Sequence, residues 1–202
     1  MDSSAGRWRV RGPWRIQVKE STQSTNDDVR KLAEAGEPQG CVVVARSQMC
    51  GRGQWKRRWV SPEGGLYFSF LLRPDAPVSE WPALSKQMAE SVRSALIAAF
   101  GVAPSALRVK EPNDVVCDAG KVCGTVLEAV DGKYLVVGIG VNVLIPVDAV
   151  VTDGRNVPAY LARLADSARI PQANVAVYDA YGRDEVLDRV LFAILDEVAR
   201  SL

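Results

Sequence analysis

The chain contains no histidine. That absence removes imidazole from any general-base or triad chemistry these residues could carry. Its four cysteines, Cys41, Cys50, Cys117 and Cys123, form no C-x-x-C pair. With neither histidine nor paired thiols, no zinc site is expected, and the cysteines read as small hydrophobes of a cytoplasmic protein in a reducing compartment. No apolar run reaches the roughly 20 residues of a membrane span, and the N-terminus lacks the apolar core of a secretory signal. Charge of one sign is also missing, since Lys+Arg 25 against Asp+Glu 24 leave a net charge of +1. Bulk electrostatics therefore give no indication of a DNA or membrane partner.

What is present suits one sizeable globular domain, because 48% of 202 residues are hydrophobic. Residues 1–13 read as a flexible basic arm carrying Arg7, Arg9 and Arg11. A strand is expected over Trp14 to Lys19. A helix follows, opened by the capping chemistry of Ser24-Thr25-Asn26-Asp27-Asp28 and stopped by Gly36 and Pro38. Cys41 to Ala45 and Leu66 to Leu72 read as buried strands. Leu84, Met88, Val92, Leu96 and Phe100 recur every four residues and mark the core stripe of a second helix. A strand over Leu107 to Lys110 ends at Pro112. Strands over Val122 to Val130 and Tyr134 to Val143 flank Asp131-Gly132, a hairpin turn signal. From about residue 155 the chain reads as helical, in Pro158 to Ala168 and again in Glu185 to Leu202. Strands and helices in this order predict an α+β fold with a mixed, largely antiparallel sheet covered by helices.

Several segments carry chemistry, each with an ordinary reading beside the functional one. Cys50-Gly51-Arg52-Gly53-Gln54-Trp55-Lys56-Arg57-Arg58-Trp59 is either a solvated basic turn or a loop whose glycines let backbone N–H groups approach an anion, with Arg52 forking onto it. Trp55 and Trp59 suit either a core or a lid. Asn113-Asp114, behind Lys110 and Pro112, is a common turn or a rigid pair of oxygen donors for a nucleotide and its magnesium. Lys121, in Gly120-Lys121-Val122-Cys123-Gly124, is a hairpin charge or an ammonium fixed beside a phosphoryl group. Gly138-Ile139-Gly140-Val141-Asn142 weakens its strand unless something packs closely on it, and Asn142 is a ligand contact or a strand-end cap.

Taken together, these segments resemble the catalytic domain of biotin protein ligases, in order and spacing, from about residue 14 to 145. The match runs through Ser24-Thr25-Asn26, Gln48-Met49-Cys50-Gly51-Arg52-Gly53 with Trp59, Ser61-Pro62 and Gly64, Lys110-x-Pro112-Asn113-Asp114, Lys121-x-x-Gly124 with Glu128, and Gly138-x-Gly140-x-Asn142. The resemblance implies a class II synthetase-like fold. It also implies an ATP-dependent, AMP-forming ligase that makes biotinyl-5′-AMP from biotin and Mg-ATP, then biotinylates a lysine of a biotin carboxyl carrier domain. By position, Lys121 and Arg52 would be catalytic. Ser24, Thr25, Asn26, Gln48, Gly51, Arg52, Lys121 and Gly124 would hold biotin. Arg52, Gly53, Gln54, Trp59, Lys110, Asn113, Asp114, Lys121 and Asn142 would serve ATP, with Asp114 on Mg²⁺. The loop from Gly51 to Ser61 would fold over the adenylate.

The sequence also departs from the family pattern. Glu111 stands where tryptophan is usual, Gln54 where arginine is frequent, and Trp55-Lys56-Arg57 replaces a glycine-containing loop segment. A winged DNA-binding domain before Trp14 and a C-terminal SH3-like domain are not expected. Help with ATP and carrier would then come from the terminal helix or from a homodimer partner. The alternatives are a lipoate or octanoate ligase or transferase of the same fold, a non-catalytic metabolite-binding member, and a basic-aromatic RNA-binding module built on Trp55 to Trp59. Ser24-Thr25-Asn26 and the Gly-Arg-Gly loop favour biotin over an acyl chain.

Overall fold

A computed structural model describes residues 8–144, 146, 157–170 and 180–202. Its frame is an eight-stranded sheet made of β1 (Arg9–Arg11), β2 (Trp14–Thr22), β3 (Cys41–Gln48), β4 (Leu66–Leu72), β5 (Arg108–Lys110), β6 (Asp114–Cys117), β7 (Gly120–Val130) and β8 (Tyr134–Val141). The strand order is β1-β2-β3-β4-β8-β7-β6-β5. Only β2 and β3 pair in parallel; their connection is α1 (Thr25–Glu34), a crossover that a parallel pair requires. The remaining neighbours are antiparallel. The mixed, largely antiparallel sheet expected from the sequence is therefore observed.

The helices divide between the two faces. α1 covers one, where Val29 and Ala33 pack with Cys41, Val43, Leu71 and Val136. α2 (Ala83–Phe100) and α3 (Ala180–Ser201) cover the other, over Phe68, Phe70, Leu135, Val137 and Ile139. β4 lies between these layers and is buried at every position, so its sequence LYFSFLL is apolar without alternation. α2 ends where Gly101 takes a left-handed conformation, with φ of 64°. In α3 the stripe Val186, Leu187, Val190, Leu191, Ile194, Leu195 and Val198 is buried as its periodicity predicts.

The structure differs from the sequence expectations in four places. Of the basic arm, residues 9–11 form the edge strand β1, where Arg9 and Arg11 pair with Asp188 at 2.7 Å and Asp196 at 2.6 Å on α3. Asp114 opens an unanticipated strand, β6, because Val115 and Val116 are apolar enough to continue the sheet beyond the turn at Pro112 and Asn113. Pro158 to Ala168 holds only a 3₁₀ turn, Leu161–Arg163, rather than a helix. The segment before that turn commits its backbone to β7 instead: Lys121 N donates to Val157 O, and Ala159 N donates to Lys121 O, both at 2.8 Å. The strand expected to run to Val143 ends at Val141, where Leu161 N takes the carbonyl of Asn142.

Candidate active site

The site lies on the α1 face of the sheet, where β7 and β8 carry glycines. Gly124 and Gly140 are register partners, and Gly138 sits one pleat further along β8. Their missing side chains make room for three close neighbours. A β-carbon on Gly138 would stand 2.3 Å from Asn26 Oδ1, and one on Gly124 would stand 2.9 Å from Lys121 Nζ. The third neighbour, the Trp59 ring, would meet a Gly140 β-carbon at 2.6 Å. The costly glycines in these strands are thus explained by what lies on them.

Ser24 occupies the N-cap position of α1 but makes no side-chain cap bond, and its carbonyl alone receives Asp27 N and Asp28 N. Ser24, Thr25 and Asn26 line the slot instead. Gln48, at the end of β3, accepts Thr25 N at 2.9 Å and Thr25 Oγ1 at 3.1 Å through Oε1, and donates Nε2 to Ser61 Oγ at 2.9 Å. Ser69 Oγ contacts Thr25 Oγ1 at 2.7 Å and donates to Asn26 Oδ1 at 2.6 Å. After these bonds Asn26 Nδ2 remains buried without a hydrogen bond.

The loop from Gly51 to Trp59 is a small hairpin. Gly53 N donates to Arg57 O and Trp59 N to Gly51 O, both at 2.8 Å, while Arg52 bridges Arg58. Trp55 turns its tip with φ of 58° and is 84% exposed. Gly51 permits close approach to Trp59 O, which a β-carbon would meet at 2.5 Å. Trp59 lies inward over the slot, its Nε1 buried and unbonded, so it is not part of an exposed stacking platform for RNA.

Two charge systems border the slot. Lys121 Nζ lies 2.6 Å from Asp114 Oδ1 and 5.2 Å from the Trp59 ring centre, and both partners of the ion pair are largely buried. Asp114 Oδ1 makes this ion pair without the angular geometry of a hydrogen bond. The Lys121 backbone is held too, since its carbonyl also accepts Asn142 Nδ2 at 2.9 Å. In the second system, Arg52 Nη1 donates to Asp27 Oδ1 and Oδ2 at 2.7 and 2.8 Å. Its Nε and Nη2 reach Glu128 at 3.2 and 3.3 Å, and Arg30 adds a bond to Glu128 at 2.9 Å. Burial is the largest influence on Glu128 and raises it, but the bonds and charge of Arg52, with the nearby Arg30 and Asn26 side chains, together outweigh burial and hold the carboxyl below its usual range. Burial likewise opposes the charge of Arg52, and its bonds to Asp27 and Glu128 reverse that effect.

Of the residues singled out from the sequence, Ser24, Thr25, Asn26, Gln48, Arg52, Gly53, Gln54, Trp59, Asn113, Lys121 and Gly124 line one slot. Gly51 sits just behind it. Asp114 and Asn142 reach it through Lys121, whereas Lys110 is exposed at the end of β5. Asn113 is turned into the fold, with Nδ2 donating to Thr25's distant namesake Thr125 at its carbonyl, 2.7 Å away. Glu111 points outward, 65% exposed, and pairs with Lys86 of α2, so its carboxylate does not face the slot. Sequence reasoning missed Ser69, although it is the single polar residue in a strand of seven. It also missed Asp27 as a partner of Arg52, having read it as helix-end chemistry.

Free space in the slot is about 30 Å³, enough for a water-sized guest. A larger ligand must displace the loop or Trp59. A second cavity of about 700 Å³ shares Arg52, Gly53, Gln54 and Val126 with it and is walled by Trp55, Trp81 and Leu127.

Comparison with known proteins places these features in context. The sequence profile of the biotin/lipoate A/B protein ligase family matches residues 17–143. The biotin–[acetyl-CoA-carboxylase] ligase of Paracoccus denitrificans is 39% identical over 125 residues, 60% of this chain and 51% of that protein. The bifunctional ligase/repressor BirA of Bacillus spizizenii is 36% identical over 125 residues, 59% of this chain and 38% of that protein. The chain therefore spans about half, or less, of these relatives' lengths. Among solved structures, the biotin protein ligase of Aquifex aeolicus in complex with biotin and ATP superposes with a TM-score of 0.66 at 30% identity, covering 92% of this chain and 70% of that one.

Proposed function

Because the chain belongs to the biotin/lipoate A/B protein ligase family, we propose that it activates biotin with Mg-ATP to biotinyl-5′-AMP and transfers the biotinyl group to a lysine of a biotin carboxyl carrier domain. The observation that carries this reading is the pair of buried, unbonded donors, Asn26 Nδ2 and Trp59 Nε1, in one polar slot floored by glycines. Buried donors are costly when unpaired, and a ligand rich in hydrogen-bonding oxygen relieves that cost. A ureido ring presents one carbonyl acceptor and two N–H donors, and Ser24, Thr25, Asn26 and Gln48 supply the complementary set. An acyl chain offers nothing to these groups, which favours biotin over lipoate or octanoate.

In the first half-reaction a biotin carboxylate oxygen attacks the α-phosphorus, and the bond to pyrophosphate breaks. Negative charge accumulates on the oxygens of that phosphorus, and the Lys121 ammonium, which lies over Gly124, would neutralise it. Asp114, whose Oδ1 is ion-paired with Lys121, would hold a magnesium ion carried in on the nucleotide once Lys121 turns to the phosphate, and that ion would spread charge from the phosphates. In the second half-reaction the neutral amine of the acceptor lysine attacks the carbonyl carbon of the mixed anhydride. AMP leaves and the amine loses a proton. The hairpin with Trp59 keeps water from that anhydride until the acceptor arrives.

The test is pyrophosphate release that requires both biotin and ATP, with lipoate and octanoate as alternative acids. Lys121→Ala is expected to lower the rate by about 10²–10³-fold, the scale of one lost electrostatic group. Absence of release with biotin overturns the reading, and undiminished turnover in Lys121→Ala overturns the role of the lysine.

A further inference from the structure

Arg52 spends nearly all its donors on the protein itself. Nη1 lies against both oxygens of Asp27 on α1, and Nε and Nη2 lie against Glu128 on β7. Both are charge-assisted contacts to partners far away in sequence on different elements, the one to Glu128 a fork of two nitrogens and the one to Asp27 a single nitrogen shared by both oxygens. Glu128 is itself fixed from the other side by Arg30 of α1. Asp27 stands in the first turn of α1, where the helix dipole favours its charge. The hairpin from Gly51 to Trp59 thus has two anchors: Trp59 resting on Gly140, and Arg52 held between two carboxylates. Among the described residues its other hydrogen bonds, Gly53 to Arg57, Arg57 to Gln54 and Trp59 to Gly51, are internal, apart from a bond at 3.3 Å that Ser61 Oγ donates to Trp59 O at the hairpin's end.

We propose that Asp27 and Glu128 are positioning residues that act through Arg52, clasping the hairpin closed over the slot and thereby setting how long an adenylate stays there. The clasp rests on charges of the enzyme rather than on the ligand, so it operates in the free protein. Its consequence for the adenylate rests on the function proposed above; its effect on the loop does not. Loosening either carboxylate lets the hairpin swing out more often, since Arg52 then loses one of its two carboxylate partners.

The hairpin carries its own reporter, because Arg57 and Arg58 are exposed trypsin sites. Cleavage after these residues, followed by mass spectrometry on the ligand-free chain, is expected to be about tenfold faster in Asp27→Asn, Glu128→Gln and Arg52→Ala, the scale of one charge-assisted hydrogen bond. The double variant Arg52→Ala/Glu128→Gln is expected to be cleaved no faster than Arg52→Ala, because Glu128 reaches the hairpin through the arginine, its bond to Arg30 lying within the body. Melting temperatures measured in parallel separate this from general unfolding, which would expose sites throughout the chain. Release of preformed biotinyl-5′-AMP without carrier should accelerate in the same variants and the same order. Unchanged cleavage in both Asp27→Asn and Glu128→Gln overturns the clasp, as does full additivity in the double variant. Faster cleavage in a chain that forms no adenylate would uphold the clasp and overturn the proposed reaction instead.

Discussion

A β-carbon on Gly140 would stand 2.6 Å from Cε2 of Trp59, closer than any carbon–carbon contact allows. The strand and the lid therefore depend on one another: the glycine exists for the indole, and the indole closes the slot only because the glycine is bare. Gly140→Ala is expected to push Trp59 off the strand while leaving the sheet hydrogen bonds in place. Stability should fall by about 1–3 kcal/mol, the range for overpacking. Biotin affinity by calorimetry should weaken by about tenfold or more. A variant that binds biotin as the parent does would show that the indole does not define the slot.

Acid should weaken the loop's anchorage, and the sign follows from Glu128. Its carboxyl lies below its usual 4.5 in the folded chain because Arg52, with Arg30 and Asn26, together outweighs the burial that raises it. A group depressed in this way adds stability that is fully present above its unfolded value and is lost as pH falls through its folded one. The unfolding free energies of wild type and Glu128→Gln should differ by about 1 kcal/mol near neutral pH, a modest value for a partly exposed pair. That difference should stay level down to about pH 5 and close below it. A difference that widens in acid would contradict the assignment.

Thiol chemistry should be confined to one position. Cys41, Cys117 and Cys123 are buried, while Cys50 is exposed at the root of the hairpin. Burial pushes the Cys123 thiol far above its ordinary range, and Cys41 is raised by burial and by Glu37. An aromatic disulfide reagent at neutral pH should therefore react rapidly at Cys50 and reach the other three only on unfolding. Peptide mapping that finds fast label at Cys123 would show that β7 opens readily.

Much of the frame was readable from local pattern. The stripes of α2 and α3, the Asp131-Gly132 hairpin and the apolar run of β4 depend on neighbours within a turn or a strand. The glycines of β8 could be read as close-approach positions without knowing what approached. What escaped was pairing over distance. Asp27 and Glu128 lie 25 and 76 residues from Arg52, and nothing near any of them announces the other two. Ser24 shows the opposite failure: its position fits a helix cap, but its side chain makes no cap bond and is buried at the slot. Glu111 looked like an intruder beside the nucleotide until Lys86, on a helix that precedes it, showed where it points. The expected helix after Pro158 failed because tertiary backbone bonding to β7 outcompeted local propensity.

The brace from Val157 to Ala159 lies outside the stretch that the family shares in sequence, yet it grips the main chain of Lys121 on both sides. Gly120, with φ of 144° and Val157 O only 2.2 Å from where a β-carbon would stand, is shaped to admit it. A change in the unmatched segment can therefore shift the Lys121 ammonium while every motif residue stays unchanged, so two chains with identical motifs need not hold this lysine alike.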